Sequence, residues 1–390
     1  MPAERHHRYI ILGAGAAGLS LCYQLLQRGV RAPILILDRK PSFGDDRTWC
    51  FWDSRPAAFT GLAARCWHSW DVFDAQGGRT TRASEDVGYA CLRGADFYAH
   101  ILGEIRRHDN VTLNLGCPVE GHQSFPAHVE IRAGETYTAD YAFDSRPVEP
   151  TGGGIYFSQR FFGQIVRTEQ PRFDPARCTL MDFRARQGRG LHFFYVLPFS
   201  PSEALIENTY LQGGSPPAPT VAEHRAEIAA YLAAHHGLTD FAVTHEEAGA
   251  IPMTTRTFPR RDGRVFFIGT AGGCTKPSSG YTFARIQEQC RQIAASASAG
   301  TLDGFRERLA PARYRLFDAV FLQAMHDRPR SFPDYFRRLF ARVPPAALAA
   351  FLSEAGTWRD DLAIIRSLPL GPFLGAAVRS MPGLLPWARG

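Results

Sequence analysis

Tyr9–Asp38 reads YIILGAGAAGLSLCYQLLQRGVRAPILILD, and the order of its parts decides the fold. An apolar run opens it, Gly13, Gly15 and Gly18 follow, then a helical stretch, then a second apolar run that closes on Asp38. Gly13 permits a tight turn, Gly15 lets the backbone approach a pyrophosphate, and Gly18 lets helix and strand pack closely. Free N–H groups at the helix start then face a diphosphate. Asp38 sits where a carboxylate accepts hydrogen bonds from a ribose. Glycines alone predict only a turn; strand, turn, helix, strand and acid in this order predict a dinucleotide-binding unit. The motif names a cofactor class and leaves the reaction open.

The chain around it has 390 residues, enough for two or three packed units. Its formal net charge of +6 is carried almost wholly by arginine, since Lys40 and Lys276 are the only lysines. Residues 301–390 hold 13 arginines against 8 acids, a surplus of 5. That surplus is either a solvated helical face or an attraction to an anionic membrane surface. No basic strand interleaved with aromatics argues for nucleic acid. The eight cysteines contain no CxxC pair, and the first strand starts too early for a signal peptide, so free thiols in a reducing cytosol are expected. No uncharged run of about twenty apolar residues predicts a spanning helix. The pairs His6-His7 and His235-His236 read as surface residues, and no metal site is expected.

Past Asp38, the segment Arg39–Trp52 reads as a loop whose second half carries Trp49, Phe51 and Trp52, with Trp67 and Trp70 beyond. These rings suit either a core or the wall of a large apolar or cationic ligand. Helix-like spacing of Leu92, Phe97, Ile101, Leu102 and Ile105 predicts a helix over Gly88–Arg106. Val111–Gly116 reads as a strand, and His128–Phe143 as a hairpin turning at Ala133–Glu135. From Ile155 to Phe258, strands at Gln164–Thr168, Cys178–Phe183, His192–Leu197, Ala204–Tyr210 and Gly249–Met253 surround a helix at Ala222–His235. The strand Val265–Ile268 then feeds a second glycine turn, Gly269–Gly280, and a helix over Tyr281–Ala295, giving another helix start for an anion or a ring carbonyl. The remainder reads as helices, with stripes at Leu316–Ala324 and Phe332–Phe340 and a capping box from Thr357 to Asp360. The apolar tail Leu368–Trp387 suits packing on the core or shallow docking on a bilayer.

The expected architecture is therefore α/β. Residues 1–47, 86–150 and 262–300 form a Rossmann-type nucleotide domain, 48–85 and 155–261 an inserted β-rich substrate domain, and 301–390 a helical C-terminal cap.

Four stretches together resemble the bacterial lycopene β-cyclases, over essentially the whole chain. Asp46-Arg47-Thr48-Trp49-Cys50-Phe51-Trp52 resembles the family's D-x-T-W segment. Leu197-Pro198-Phe199-Ser200 with Ala204-Leu205-Ile206-Glu207-Asn208-Thr209-Tyr210 resembles the segment bearing its essential acid. Ile251-Pro252-Met253 and Gly269–Thr282 resemble its late flavin segment, and Gly13, Gly15, Gly18 and Asp38 its flavin-binding start. Two positions depart from the pattern. Asn208 stands where many members have a second acid, leaving Glu207 alone or with a distant partner. Thr270 replaces an aspartate, though its hydroxyl can still bond a ribityl chain.

The resemblance implies a glutathione-reductase/hydroxylase-like fold binding FAD in its reduced form, with NAD(P)H as reductant. Gly13, Gly15, Gly18, Asp38, Arg47, Gly269, Thr270, Gly273 and Gly280 would hold that cofactor. It implies redox-neutral cyclisation of the ψ ends of lycopene or a related linear carotene to β-ionone rings. Glu207 would be the acid, and Trp49, Phe51, Trp52 and Tyr195 would line the pocket. Without the family, Glu207 reads as an acid on the solvent side of a strand. A membrane-resident substrate implies peripheral attachment to the inner, cytoplasmic face of a membrane. Rival readings are a flavin-dependent monooxygenase, a prenyl reductase, a carotenoid or quinone binding protein, or a cyclase giving another ring.

Overall fold

The computed structural model describes residues 6–53, 59–214 and 217–384, with side chains as far as Ser380. Five strands form the parallel body of the first sheet, in the order Val111–Asn114, Ile34–Leu37, His6–Leu12, Glu135–Asp144, Val265–Phe267. In chain order this is 3-2-1-4-5, the doubly-wound arrangement that places a ligand crevice beside the first strand, at the carboxyl ends. Both faces of the first two strands are covered, Ile11, Ile34 and Ile36 by helices and Ile10, Leu12, Leu35 and Leu37 by Val129, Ile131 and Ala133 of the antiparallel strands, so their inner residues are apolar and Ile10, Ile11, Leu12 and Ile34 are fully buried. Helices Ala16–Gln27 and Phe283–Ser298 pack together on one face, where the Cys290 thiol donates to the Ala17 carbonyl. Val129–Ala133 and Gly121–Ser124 extend the sheet antiparallel, and the hairpin turns at Gly134, whose φ of +74° favours glycine.

The second sheet has seven strands, ordered Ala242–Thr254, Tyr156–Arg167, Glu203–Gln212, Leu191–Ser200, Cys178–Asp182, Ser69–Phe73, Arg79–Ala83. Helix Val221–His236 lies on one face, packing Ile228, Tyr231 and Leu232 onto Phe162, Phe194 and Ile206. A Thr220–Glu223 capping box starts this helix and Gly237, left-handed, ends it. The opposite face receives the C-terminal helices Ala312–Asp327, Phe332–Arg342, Pro345–Leu352, Trp358–Ser367 and Leu370–Leu384. Phe336 stacks on Phe183 with centroids 5.7 Å apart, and Leu339 and Phe340 join Trp70, Leu197 and Leu205. The Thr357–Asp360 capping box is formed. The end of the apolar tail, residues 385–390 with Trp387, lies outside the described residues.

Two expectations need correction. The segment to Trp52 does not stay a loop: Thr48–Asp53 is a strand, paired with Gly88–Arg93, which pairs in turn with Arg65–Trp67. The helix expected over Gly88–Arg106 accordingly begins only at Gly94. Leu92 sits at helical spacing from Phe97 by coincidence, on a strand that needs partners from elsewhere in the chain. What starts the helix is likewise remote. The Asp45 carboxylate accepts from the Ala95 N–H at 3.1 Å and pairs with Arg93. A Cβ at Gly94 would stand 2.8 Å from the Arg47 carbonyl, so only glycine fits there.

Candidate active site

At the crevice, the carboxyl ends are laced together: Gly13 N–H donates to Leu37 O at 2.8 Å and Ser145 N–H to Leu12 O at 2.9 Å. Gly13, at φ +99°, has Ser145 Oγ where a Cβ would go. A Cβ on Gly18 would lie 1.9 Å from the Gly13 carbonyl, so the helix reaches the strand only without one. Gly15 differs: nothing lies within 4 Å of its would-be Cβ. The helix it caps has no side-chain cap and no acid in its first turn. Open space beside an uncapped helix start is what a diphosphate needs. Asp38 faces the same turn, accepting from Ala14 N–H at 2.5 Å and Lys40 N–H at 2.7 Å.

From the far side comes the second glycine turn. Gly269, at φ +65°, approaches Ala17 so closely that a Cβ would stand 2.6 Å from that residue's own, and Thr270 beside it is exposed. Gly273 N–H donates to Thr270 O at 3.0 Å, closing the turn. Thus Gly13, Gly15, Gly18, Asp38, Gly269 and Thr270 gather at one crevice, and their cradle fits a dinucleotide. Gly280 belongs elsewhere on the path: its Cβ position is 2.5 Å from Gln159 Oε1, on the seven-stranded sheet. Arg47 is exposed and donates to Ala248 O at 3.2 Å.

Strand alternation decides what Glu207 meets. Ile206 and Asn208 point toward the helix Val221–His236, where Asn208 Nδ2 donates to Glu227 at 2.7 Å and its Oδ1 accepts from His192 Nε2 at 2.6 Å. Asn208 is therefore a buried structural residue on the opposite face, and an acid there would not have joined Glu207. Glu207 itself points with Leu205 and Thr209 toward the C-terminal helices. Thr209 Oγ1 donates to its Oε1 at 2.9 Å. Burial pushes the Glu207 carboxyl up to about 8, aided by the nearby Glu247 and opposed by Thr209.

Tyr195, the direct cross-strand neighbour of Glu207, lines an almost wholly apolar cavity of about 300 Å³. That cavity runs between sheet and cap, from Tyr195, Phe193 and Tyr281 outward to Leu370, Leu374 and Ala377 at the other end. Its size is at the low end for small-molecule sites. The other three rings singled out in the sequence lie apart from it. Trp49 and Phe51 stack on Phe283, at 5.5 and 5.2 Å, in the core of the nucleotide domain. Trp52 packs edge-on against Trp70 at 4.9 Å, and with Phe51 and Tyr281 borders a second, more polar cavity of about 410 Å³.

Several residues at this centre escaped the sequence reading. Tyr89 and Tyr281 lie edge to face at 6.5 Å, both phenols held well above their ordinary value by burial. Cys50, opposite Cys91, is raised first by its bond to that thiol and then by burial. Glu247, 5 % exposed, is pushed by burial up to about 7, with Thr48 and Arg47 limiting the rise. Tyr281 was within the segment Gly269–Thr282, but its neighbours come from other strands. Glu247 carried no local signal at all.

A doubly-wound nucleotide domain joined to a β-rich domain, with an acid whose cross-strand neighbour Tyr195 lines an apolar cavity, defines a flavoprotein-type enzyme fold. The chain belongs to the lycopene cyclase family: the family model described as lycopene cyclase protein matches residues 9–378. A lycopene beta-cyclase of a Paracoccus species is 24% identical over 399 residues, covering 96% of this chain and 97% of the relative. One from Pantoea ananas is 27% identical over 253 residues, 64% of this chain and 63% of that protein, so the match spans less than two thirds of its length. Among solved structures, a flavoprotein/dehydrogenase from Cytophaga hutchinsonii superposes with TM-score 0.62 at 14% identity, covering 97% of this chain and 100% of that one. Aklavinone-11 hydroxylase in complex with FAD and aklavinone superposes with TM-score 0.59 at 16% identity, over 84% of this chain and 70% of that one. At such identities these two show the fold alone.

Proposed function

We propose that this chain is a lycopene β-cyclase, closing ψ ends of lycopene or a related linear carotene to β-ionone rings with no net redox change. The observation that carries this is Glu207, on the cap-facing side of its strand beside Tyr195, which lines the apolar cavity, with desolvation favouring its protonated form. An alkene is a very weak base, so its protonation needs a neutral acid in a dry site. Glu207 gives its proton to the terminal double bond, the internal alkene attacks the resulting tertiary cation, and loss of a proton leaves the ring. Phe193 and Tyr195 offer ring faces to a cation, worth about 0.5–2 kcal/mol each, and few nucleophiles line the cavity to trap it. Gly13, Gly15, Gly18, Asp38, Gly269 and Thr270 would hold FAD, which in reduced form, with NAD(P)H as reductant, would supply a fixed negative charge to favour a cation. Expression in a lycopene-accumulating bacterium tests the reading: pigment is expected to shift to β-carotene, and unchanged lycopene would sink it.

The crevice predicts two contrasting losses. Gly18→Ala is expected to give unstable protein without flavin, because its methyl meets backbone. Gly15→Ala is expected to fold normally yet retain less flavin, because its methyl occupies only the diphosphate's space. Flavin absorbance per protein, beside a thermal melt, checks both.

Attachment to the inner face of a membrane fits the cavity's outer end. No single helix among the described residues is long and apolar enough to cross a membrane. Leu370, Leu374 and Val378, however, are 59, 62 and 67 % exposed on one helix, beside the arginine-rich cap. Burying three such side chains in a bilayer is worth roughly 1.5–3 kcal/mol each. Changing all three to serine is expected to reduce sedimentation with anionic liposomes at least tenfold; undiminished sedimentation would remove this face from the docking role. Point changes suit the test better than deleting the tail, because Leu368 and Phe373 pack in the core.

A further inference from the structure

Tyr195, Glu207, Gly163 and Glu247 stand in register across four adjacent strands. Residues so aligned leave the sheet on one face, so both carboxyls point toward the C-terminal cap, two strand spacings or about 10 Å apart at Cα. Between them Gly163 carries no side chain, and Leu205 Cδ1 lies 3.0 Å from where its Cβ would be. A Cβ there would lie 3.2 Å from Glu247 Cγ and 3.5 Å from its Oε1, so Glu247 leans over the glycine toward Glu207. Thr48 is the group that hydrogen-bonds toward the Glu247 carboxyl, and Arg47 acts on it only through its charge. A buried carboxyl with no directly paired cation is costly and calls for a reason beyond stability.

The groups facing Glu247 are consistent with a working role. Thr48 and Arg47 approach from the neighbouring strand and the loop before it, Asp45 from the same loop, and Cys50 lies within electrostatic reach of both carboxyls. Arg47 is anchored on Ala248 O rather than on the carboxylate. Glu247 is thus held by Thr48 and has no cation bonded to it.

We propose that Glu247 is the catalytic base that completes the ring and then returns the proton to Glu207 across Gly163. The inference rests on the cyclase reading above. In the first step the Glu207 O–H bond breaks and a C–H bond forms at the end of the carotene. After ring closure, a ring C–H bond breaks, its electron pair becomes the ring double bond, and its proton forms an O–H bond on Glu247. Transfer of that proton to the Glu207 carboxylate restores the starting state. One proton enters and one leaves, and no oxidant or reductant is consumed. The acid stands higher, at about 8, and the base lower, at about 7, the ordering that lets one be protonated while the other is ionised. The second acid that Asn208 fails to supply is thereby provided from another strand.

The test uses the full-length flavoprotein with lycopene in liposomes. Glu247→Gln is expected to lower kcat about 10²–10⁴-fold with little change in KM. Its pH profile is expected to lose the limb that rises through about pH 7, while the fall near pH 8 set by Glu207 remains. Glu247→Asp, which keeps the charge at shorter reach, is expected to recover part of the rate. Turnover within twofold of the unaltered protein, or a slowed variant that keeps the rising limb, overturns the proposal. A second arm needs no turnover: infrared titration of the carboxylic C=O band in resting protein. Replacing Glu247 removes a like charge, so the Glu207 band is expected to titrate at lower pH. An unmoved band overturns the pairing. Failure of the unaltered chain to cyclise lycopene would instead defeat the functional reading, and the infrared arm would still decide the pairing.

Discussion

Glu207→Gln is expected to abolish cyclisation, by at least 10²–10⁴-fold in kcat, while leaving a folded protein at least as stable as the unaltered one at pH 8. The two halves of this result have one cause. An ordinary glutamate near pH 4.5 would be ionised at neutral pH and useless to an alkene; burial pushes Glu207 up to about 8. The acid form is present below that value and lost above it, so activity should fall as pH rises through about 8. For stability the sign is the reverse of the usual carboxylate case. Between about pH 4.5 and 8 the folded chain keeps a proton that the unfolded chain has released, so stability drops with rising pH across that window. Glutamine keeps the shape and the contact with Thr209 but has nothing to ionise, which removes this loss. Pigment analysis in lycopene-accumulating cells, with urea unfolding at pH 6 and pH 8, measures both halves. A Gln variant that cyclises normally would end the role of Glu207. One that is inactive and also markedly less stable at pH 8 would make it a structural residue instead.

The nucleotide domain was readable because its information is local: Tyr9–Asp38 carries strand, turn, helix, strand and acid within thirty consecutive residues, and the structure returns each in order. The hairpin turning at Gly134 and the Thr357–Asp360 capping box were readable for the same reason. Local information failed where partners are distant. Thr48–Asp53 and Gly88–Arg93 become strands by pairing with each other across the 34 residues between them, and the helix after them is capped by Asp45. The reading of the site divides along the same line. Glu207 was visible through its surrounding segment, whereas Glu247 acquires meaning only from a register that sets it across Gly163. Asn208 shows the converse hazard. Adjacent in sequence to Glu207, it is on the other face of the sheet, so sequence adjacency on a strand is evidence of separation.

Lys276→Ala is expected to cost about 3–5 kcal/mol of stability. Lys276 is fully buried, its Nζ donating to Asp318 Oδ1 at 2.7 Å with Glu354 at 3.5 Å, and Ser278 Oγ also donates to Asp318 at 2.5 Å. Tyr314 and Phe351 present their rings to the ammonium at 5.5 and 5.4 Å. Removing the cation leaves the buried Asp318 carboxylate uncompensated, and that residual charge, more than the lost attraction, sets the magnitude. Lys276→Met with Asp318→Leu is therefore expected to recover much of the loss, since an apolar pair of similar volume removes both charges; urea unfolding of the two variants compares them. The location extends the consequence to function. Lys276 lies in the glycine turn Gly269–Gly280 of the cofactor crevice, Asp318 on the helix Ala312–Asp327, and Glu354 just after Pro345–Leu352. The cluster thus clips the crevice to the helices that roof the apolar cavity, where Phe317, Val320 and Phe351 are lining residues. Proteolysis of Lys276→Ala should accordingly cut first within residues 301–384, before the nucleotide domain opens. Simultaneous loss of both regions, or a cost under about 1 kcal/mol, would mean that the charges are solvated and the clip is not what holds the cap in place.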